Sequence, residues 1–172
     1  MKEVARVQDR YDEFLIQPGI NYERIDGLVY MMSAPSWEHQ QQVGHIFAEL
    51  KDYFRSHSCS PFIAPVAVTF SLERGVETEV QPDLGVLCDQ SKIQEGKIVG
   101  APELVIEVVS PSTRKKDYFT KKESYREYGV QEYWVIDGKK STRFYGQFWE
   151  KGIEKFDHVE SDLFPGLRID LI

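Results

Sequence analysis

Three ionisable residues, Asp83, Glu107 and Lys121, could do chemistry together. Glu107 lies in the apolar run Leu104 to Val109, between Ile106 and Val108, where a buried strand would normally carry another aliphatic. An unpaired carboxylate there would be costly, so it calls for a fixed cation, a metal or a ligand. Asp83 follows Pro82 in VQPDLGVL, about two dozen residues earlier, and Lys121 lies in the basic segment after the run. If neighbouring strands bring Asp83 and Glu107 together, the two carboxylates repel and raise one another's pKa unless a cation sits between them. Oxygen ligands alone point to a hard ion, Mg²⁺ or Mn²⁺, rather than zinc. Plainer roles stand beside these: turn chemistry after Pro82 for Asp83, an ion pair with Arg114 or Lys121 for Glu107, and a solvated amine for Lys121.

The elements that must position these groups can be read from periodicity. Alternation puts Glu103, Val105, Glu107 and Val109 on one strand face and Leu104, Ile106 and Val108 on the other, so only one face can carry a site. The spacing predicts a helix from Asp117 or Thr120 to Tyr128, with Gly129 as its C′ residue. Tyr118, Tyr125 and Tyr128 form one stripe of it, and Lys121 lies within roughly 30° of the stripe's centre, whereas Lys122 is about 70° off. A lysine in a first helical turn opposes the helix dipole, a local conflict often met at functional sites. With a strand predicted at Glu132 to Ile136, the order is strand, helix, strand, a βαβ-like crossover.

Elsewhere, YERIDGLVYMM predicts a hairpin around Asp26-Gly27. Val43, Ile46, Phe47, Leu50 and Phe54 mark a core-facing helix between Pro35 and Phe54, and His39 shares its face. Further strands are predicted at Phe62 to Phe70 and Val80 to Leu87. Two more, Thr142 to Trp149 and Ile153 to Val159, would be joined through Glu150-Lys151-Gly152. A short amphipathic helix is predicted at Asp9 to Ile16, and LFPGLRIDLI reads as a turn and a terminal strand.

A chain of 172 residues suits a single domain, 1–172, with a core that needs no disulfide or structural metal. Cys59 and Cys88 lie far apart and form no CxxC pair, which predicts a reducing compartment or simply buried thiols rather than a disulfide framework. No apolar run approaches the roughly 18 residues that span a bilayer, and no secretory signal pattern opens the chain, so a cytoplasmic location without membrane contact is expected. With 21 Lys and Arg against 28 Asp and Glu, the net charge of -7 excludes a general polyanion-binding surface. Contact with nucleic acid must come from a local patch. Arg114, Lys115, Lys116, Lys121 and Lys122 supply one, with Asp117 the single acid among them, and Tyr118 and Phe119 interleave with it.

The ordered strings YERIDG, PDLGVL, APELVIEVVSPSTRKKD, TKKESYREYGVQEYWVID and FPGLRIDL resemble the Uma-two family, whose fold belongs to the restriction-endonuclease-like PD-(D/E)xK superfamily. The resemblance spans nearly the whole chain. It implies an α/β, restriction-endonuclease-like core with a central mixed β-sheet flanked by α-helices, in which Asp83 and Glu107 bind Mg²⁺ or Mn²⁺. It also implies Asp83, Glu107 and Lys121 as catalytic residues for the hydrolysis of DNA phosphodiester bonds. The superfamily's lysine stands two residues after the second acid, a position held here by Val109, and Lys121 occupies the place where this family carries it on the following helix. Glu38, His39, Glu79 and Gln81 are candidate accessory residues, and Arg114, Lys115, Lys116 and Lys122 candidate phosphate contacts. A nuclease-fold binding or regulatory module without activity is the alternative, favoured by the acidic balance and by Val109. A homodimer would suit double-strand cutting, with Phe144, Tyr145, Phe148 and Trp149 either at its interface or in the core.

Overall fold

The computed structural model describes residues 21–71 and 77–172, so the helix expected at Asp9 to Ile16 lies outside the described residues. Strands β1 (Tyr22–Ile25) and β2 (Leu28–Met31) form the expected hairpin. Its corner residues Asp26 and Gly27 have φ of 51° and 79°, as a type I′ turn requires. Helix α1 (Trp37–Tyr53) starts where the Ser36 side chain accepts the His39 backbone N–H. Then come β3 (Ser60–Ile63), β4 (Val68–Ser71), β5 (Glu77–Val80), β6 (Leu84–Leu87), β7 (Ile93–Gln94), β8 (Lys97–Val99) and β9 (Leu104–Val108). A π-helical turn (Lys116–Lys121) runs directly into α2 (Lys122–Glu127). Strands β10 (Glu132–Asp137), β11 (Lys140–Tyr145), β12 (Ile153–Phe156), β13 (His158–Glu160) and β14 (Arg168–Asp170) complete the described chain.

The central sheet has the order β12-β11-β10-β9-β6-β3, and a second sheet has the order β2-β1-β5-β4-β8-β7. Strands β9 and β10 pair in parallel across the predicted crossover, and the other pairs of the central sheet are antiparallel, so it is mixed. Its two faces bury different residues. Leu104, Ile106 and Val108 pack with Val43, Ile46 and Leu50 of α1. Val105, Val135 and Tyr133 pack on the opposite side with Tyr125 of α2 and with Ile25, Val68, Phe70 and Val80 of the second sheet. Each fully buried aliphatic or aromatic side chain contributes roughly 1.5–3 kcal/mol. The alternation read from the sequence therefore holds, and Glu107 shares the face that meets the second sheet.

Several expectations need correction. The strand expected from Phe62 to Phe70 is two strands, broken at the cis Ala64–Pro65 bond, and that from Val80 to Leu87 is broken at Gln81 to Asp83. In both cases the two halves belong to different sheets. Proline has no N–H to continue a ladder, so Pro65 and Pro82 become the points where the chain changes sheet. The strand expected to reach Trp149 ends at Tyr145 and passes into a 3₁₀ turn, and Ile153 to Val159 breaks at Asp157, whose φ is 62°.

Cys59 and Cys88 are not separate thiols but form a disulfide. Ser60 pairs with Leu87 between β3 and β6, so the next residues outward face each other. That register could not be read from two cysteines 29 residues apart. Phe144 and Trp149 are buried and stack on Tyr133 at ring separations of 5.9 and 6.2 Å, which assigns both to the core rather than to an interface.

Gly85, in the middle of β6, shows why PDLGVL needs a glycine. A Cβ there would meet the Phe62 ring at 2.4 Å and the Leu104 carbonyl oxygen at 2.8 Å. Gly85→Ala should therefore destabilise the protein by about 1–3 kcal/mol through overpacking, measured by chemical denaturation.

Candidate active site

The crossover places Lys121 over Glu107. Glu107 is only 3% exposed, and its Oε1 accepts hydrogen bonds from Lys121 Nζ at 2.7 Å and Tyr125 Oη at 2.8 Å. The same ammonium lies 2.6 Å from Glu23 Oε1, on β1 of the second sheet. Glu23 is fully buried, and its Oε2 is held by Lys116 Nζ at 2.7 Å. The Gln81 backbone N–H donates to Glu23 Oε1 at 3.1 Å. Asp83 joins from the turn before β6: its Oδ2 accepts the Val108 backbone N–H at 2.8 Å and lies 3.2 Å from His39 Nε2. Asp117, 2% exposed, sits one turn before Lys121 on the inner side of the helix.

Burial dominates the electrostatics. Desolvation pushes Glu107 up to about 8; Lys121 pulls it down, and the charges of Asp83, Asp117 and Glu23 push the same way as burial. Burial also raises Asp117. Glu23 is held below the usual carboxylate range because Lys121 and Lys116 outweigh its desolvation. For Lys121, burial alone would lower the pKa, but Glu107, Glu23 and Asp117 hold the ammonium above the usual lysine range. The Asp83 hydrogen bond raises His39 against its own desolvation.

The structure thus gathers Asp83, Glu107, Lys121 and His39 in one place. It brings in Gln81 through its backbone, while the Gln81 side chain turns to the Tyr22 carbonyl. Glu79 belongs elsewhere, paired with Lys97 at 2.6 Å on the second sheet, because the break at Pro82 separates it from Asp83. Glu38 is exposed at the start of α1. Of the candidate phosphate contacts, Lys116 is bound to Glu23, Lys122 to Glu123 at 2.9 Å, and Arg114 to both Asp137 oxygens, while Lys115 is exposed. Glu23, Asp117 and Tyr125 are site residues not singled out from sequence. For Glu23 a signal existed: alternation in YERI puts it on the same face as Ile25, a core residue.

Asp83 and Glu107 are the pair that could hold an ion. Their hydrogen bonds fall on Oδ2 and Oε1, so the other oxygen of each is the one available. Among the described residues no three His, Cys, Asp or Glu side chains form a metal-ligating cluster. Two carboxylates suit Mg²⁺, which keeps several waters and takes one or two protein carboxylates, better than zinc.

A mixed sheet with paired carboxylates at its centre and helices on its faces is the architecture of restriction-endonuclease-like nucleases. The fold is similar to a crystal structure from Anabaena variabilis described as "a putative nuclease belonging to DUF820", with a TM-score of 0.66 and 21% identity over 83% of this chain and 82% of that one. Residues 9–169 match the Uma2 family, described as "Putative restriction endonuclease", and the chain belongs to that family. Family membership supports nuclease function. Comparison with curated proteins gives no significant match.

Two outcomes follow for the buried charges. Glu23→Ala removes the carboxylate that Lys116 and Lys121 share in a closed site and should cost about 3–5 kcal/mol in urea denaturation. Glu107 is raised in the folded state, so the native protein keeps a proton that the unfolded chain gives up. Its contribution is full below pH 4.5, the ordinary value, and is lost as pH rises to about 8. Metal-free stability measured across that window should fall more steeply for the parent than for Glu107→Gln.

Proposed function

We propose that the chain is a divalent-metal-dependent endonuclease that hydrolyses DNA phosphodiester bonds at Asp83, Glu107 and Lys121. The observation that carries this reading is the 2.7 Å contact of Lys121 Nζ with Glu107 Oε1, because it delivers an amine from the helix to the acid whose strand neighbour Val109 has none. Asp83 and Glu107 would hold Mg²⁺ or Mn²⁺, which when bound supplies charge stabilisation at the phosphoryl group and a water of lowered pKa. Asp83 is aimed by the Val108 N–H and by His39, so its free oxygen is fixed relative to β9. Lys121 keeps a permanent positive charge beside the place where negative charge grows as water adds to phosphorus and the P–O bond to the sugar breaks. Tyr125 supports the arrangement by holding Glu107 Oε1 in place.

A second reading draws on a specific observation. Lys121 is bound by two carboxylates and is 3% exposed, which would suit a nuclease-fold module whose amine serves the structure and that binds without cutting.

Incubation with supercoiled plasmid and Mg²⁺ or Mn²⁺ separates the two. The parent should nick or linearise the plasmid, a chelator should abolish cutting, and Asp83→Asn, Glu107→Gln and Lys121→Met should each lower the rate by about 10²-fold or more. Cleavage persisting in all three variants would sink the site assignment. A parent that neither cuts nor binds the ion would establish the inactive module.

A further inference from the structure

The outer side of the crossover carries a second concavity. Arg114, Lys115, Tyr118, Phe119, Asp137 and Lys140 line a cavity of about 390 Å³. It lies beyond the C-terminal ends of the parallel strands β9 and β10, the edge at which open α/β sheets place ligands. Three cations face one acid here, on a chain whose net charge is -7. Both guanidinium nitrogens Nη1 and Nη2 of Arg114 hold Asp137, and Lys140 Nζ is 2.6 Å from Glu154. These pairs leave Lys115, which is exposed, as the cation free to move toward a ligand. Phe119 is 64% exposed, while Tyr118 beside it is half-buried with its hydroxyl 3.4 Å from Thr142 Oγ1.

Size and chemistry together select the occupant. A cavity of 390 Å³ is at the small end of ligand sites, which run roughly 300–1,000 Å³. That is the scale of a single nucleotide rather than of a base-paired duplex. Cations beside an exposed aromatic ring are what a strand with unpaired bases needs, the ring for a base and the amines for the backbone. The same helical segment turns Asp117 and Lys121 inward to the carboxylates, so the groove and the candidate active site lie on opposite sides of one helix, about 10 Å across.

We propose that this groove binds an unpaired nucleotide of the substrate strand, its base stacked on Phe119 and its phosphate met by Lys115. This deepens the nuclease reading and rests on it for the identity of the polymer. Lys116 and Lys122, expected from sequence to contact phosphate, have no part in it because their amines are turned to Glu23 and Glu123.

The test is fluorescence anisotropy on the full chain, in chelator, with labelled oligothymidylate, oligouridylate and a duplex of equal length. Either single strand should bind more tightly than the duplex, the two arms telling DNA from RNA. Phe119→Ala should weaken single-strand binding by about five-fold or more, the effect of losing one stacked base. Lys115→Glu should flatten the salt dependence. Phe119 and Lys115 are exposed, so both variants should melt with the parent. Single-strand binding within about two-fold of the parent in both variants, or duplex binding at least as tight as single-strand binding, overturns the groove. Plasmid cutting is scored separately: its absence with these binding differences intact overturns the nuclease reading and leaves the groove standing, and intact cutting with unaffected binding does the reverse.

Discussion

The ammonium of Lys121 joins three parts of the protein at one point. It meets Glu23 of the second sheet at 2.6 Å and Glu107 of the central sheet at 2.7 Å, and it rides on the helix packed between them. Taking such a charge out of water costs several kcal/mol, and the cost is offset only where partners are close and their remaining lone pairs are filled. Here Gln81, Lys116 and Tyr125 fill them. The surrounding interface is apolar, made by Ile25, Val68, Phe70, Val105 and Tyr133, and would tolerate small slips between the sheets. A buried three-way ion pair does not tolerate them. The network therefore fixes how the hairpin sheet sits on the central sheet, and with it the position of the amine over Glu107.

The π-helical turn makes this geometry reachable. On a regular α-helix, residues five apart point about 140° away from each other. Lys116 and Lys121 are five apart, yet they hold the two oxygens of one carboxylate, Oε2 and Oε1 of Glu23. The wider turn from Lys116 to Lys121 brings them onto the same side, and π-turns recur at functional sites for this kind of displacement. The overwide turn thus lets Lys116 and Lys121 share Glu23 while Lys121 also meets Glu107.

The sequence made the central strand and its faces legible, because Leu104 to Val109 alternates between two cores that the structure separates cleanly. It also made the hairpin at Asp26-Gly27, the stripe of α1 and the parallel crossover legible, since each rests on local periodicity or turn chemistry. Glu107 and Lys121 stood out because each breaks a local rule, and Asp83 because it follows Pro82 ahead of the neighbouring strand. Glu23 breaks none, since a glutamate in an alternating hairpin strand is ordinary until the strand's buried face is known, and that face is set by a sheet assembled from distant segments. Long-range register hid the rest: the Cys59–Cys88 bond, the separation of Glu79 from Asp83, and the inward turn of Lys116 all depend on which sheet each strand joins.

The charge count of the site connects its structure to its chemistry. Glu23, Asp83, Asp117 and Glu107 face Lys116, Lys121 and His39, so the site is rich in acids. Burial, with the charges of Asp83, Asp117 and Glu23, opposes the ionisation of Glu107 against the pull of Lys121. Its Oε1 already accepts from Lys121 and Tyr125, so Oε2 is the oxygen that an ion would take at the proposed site. Ion and proton would there compete for the same carboxylate, and occupancy by the ion would release the proton. At the proposed site, this surplus of acids would favour a divalent cation.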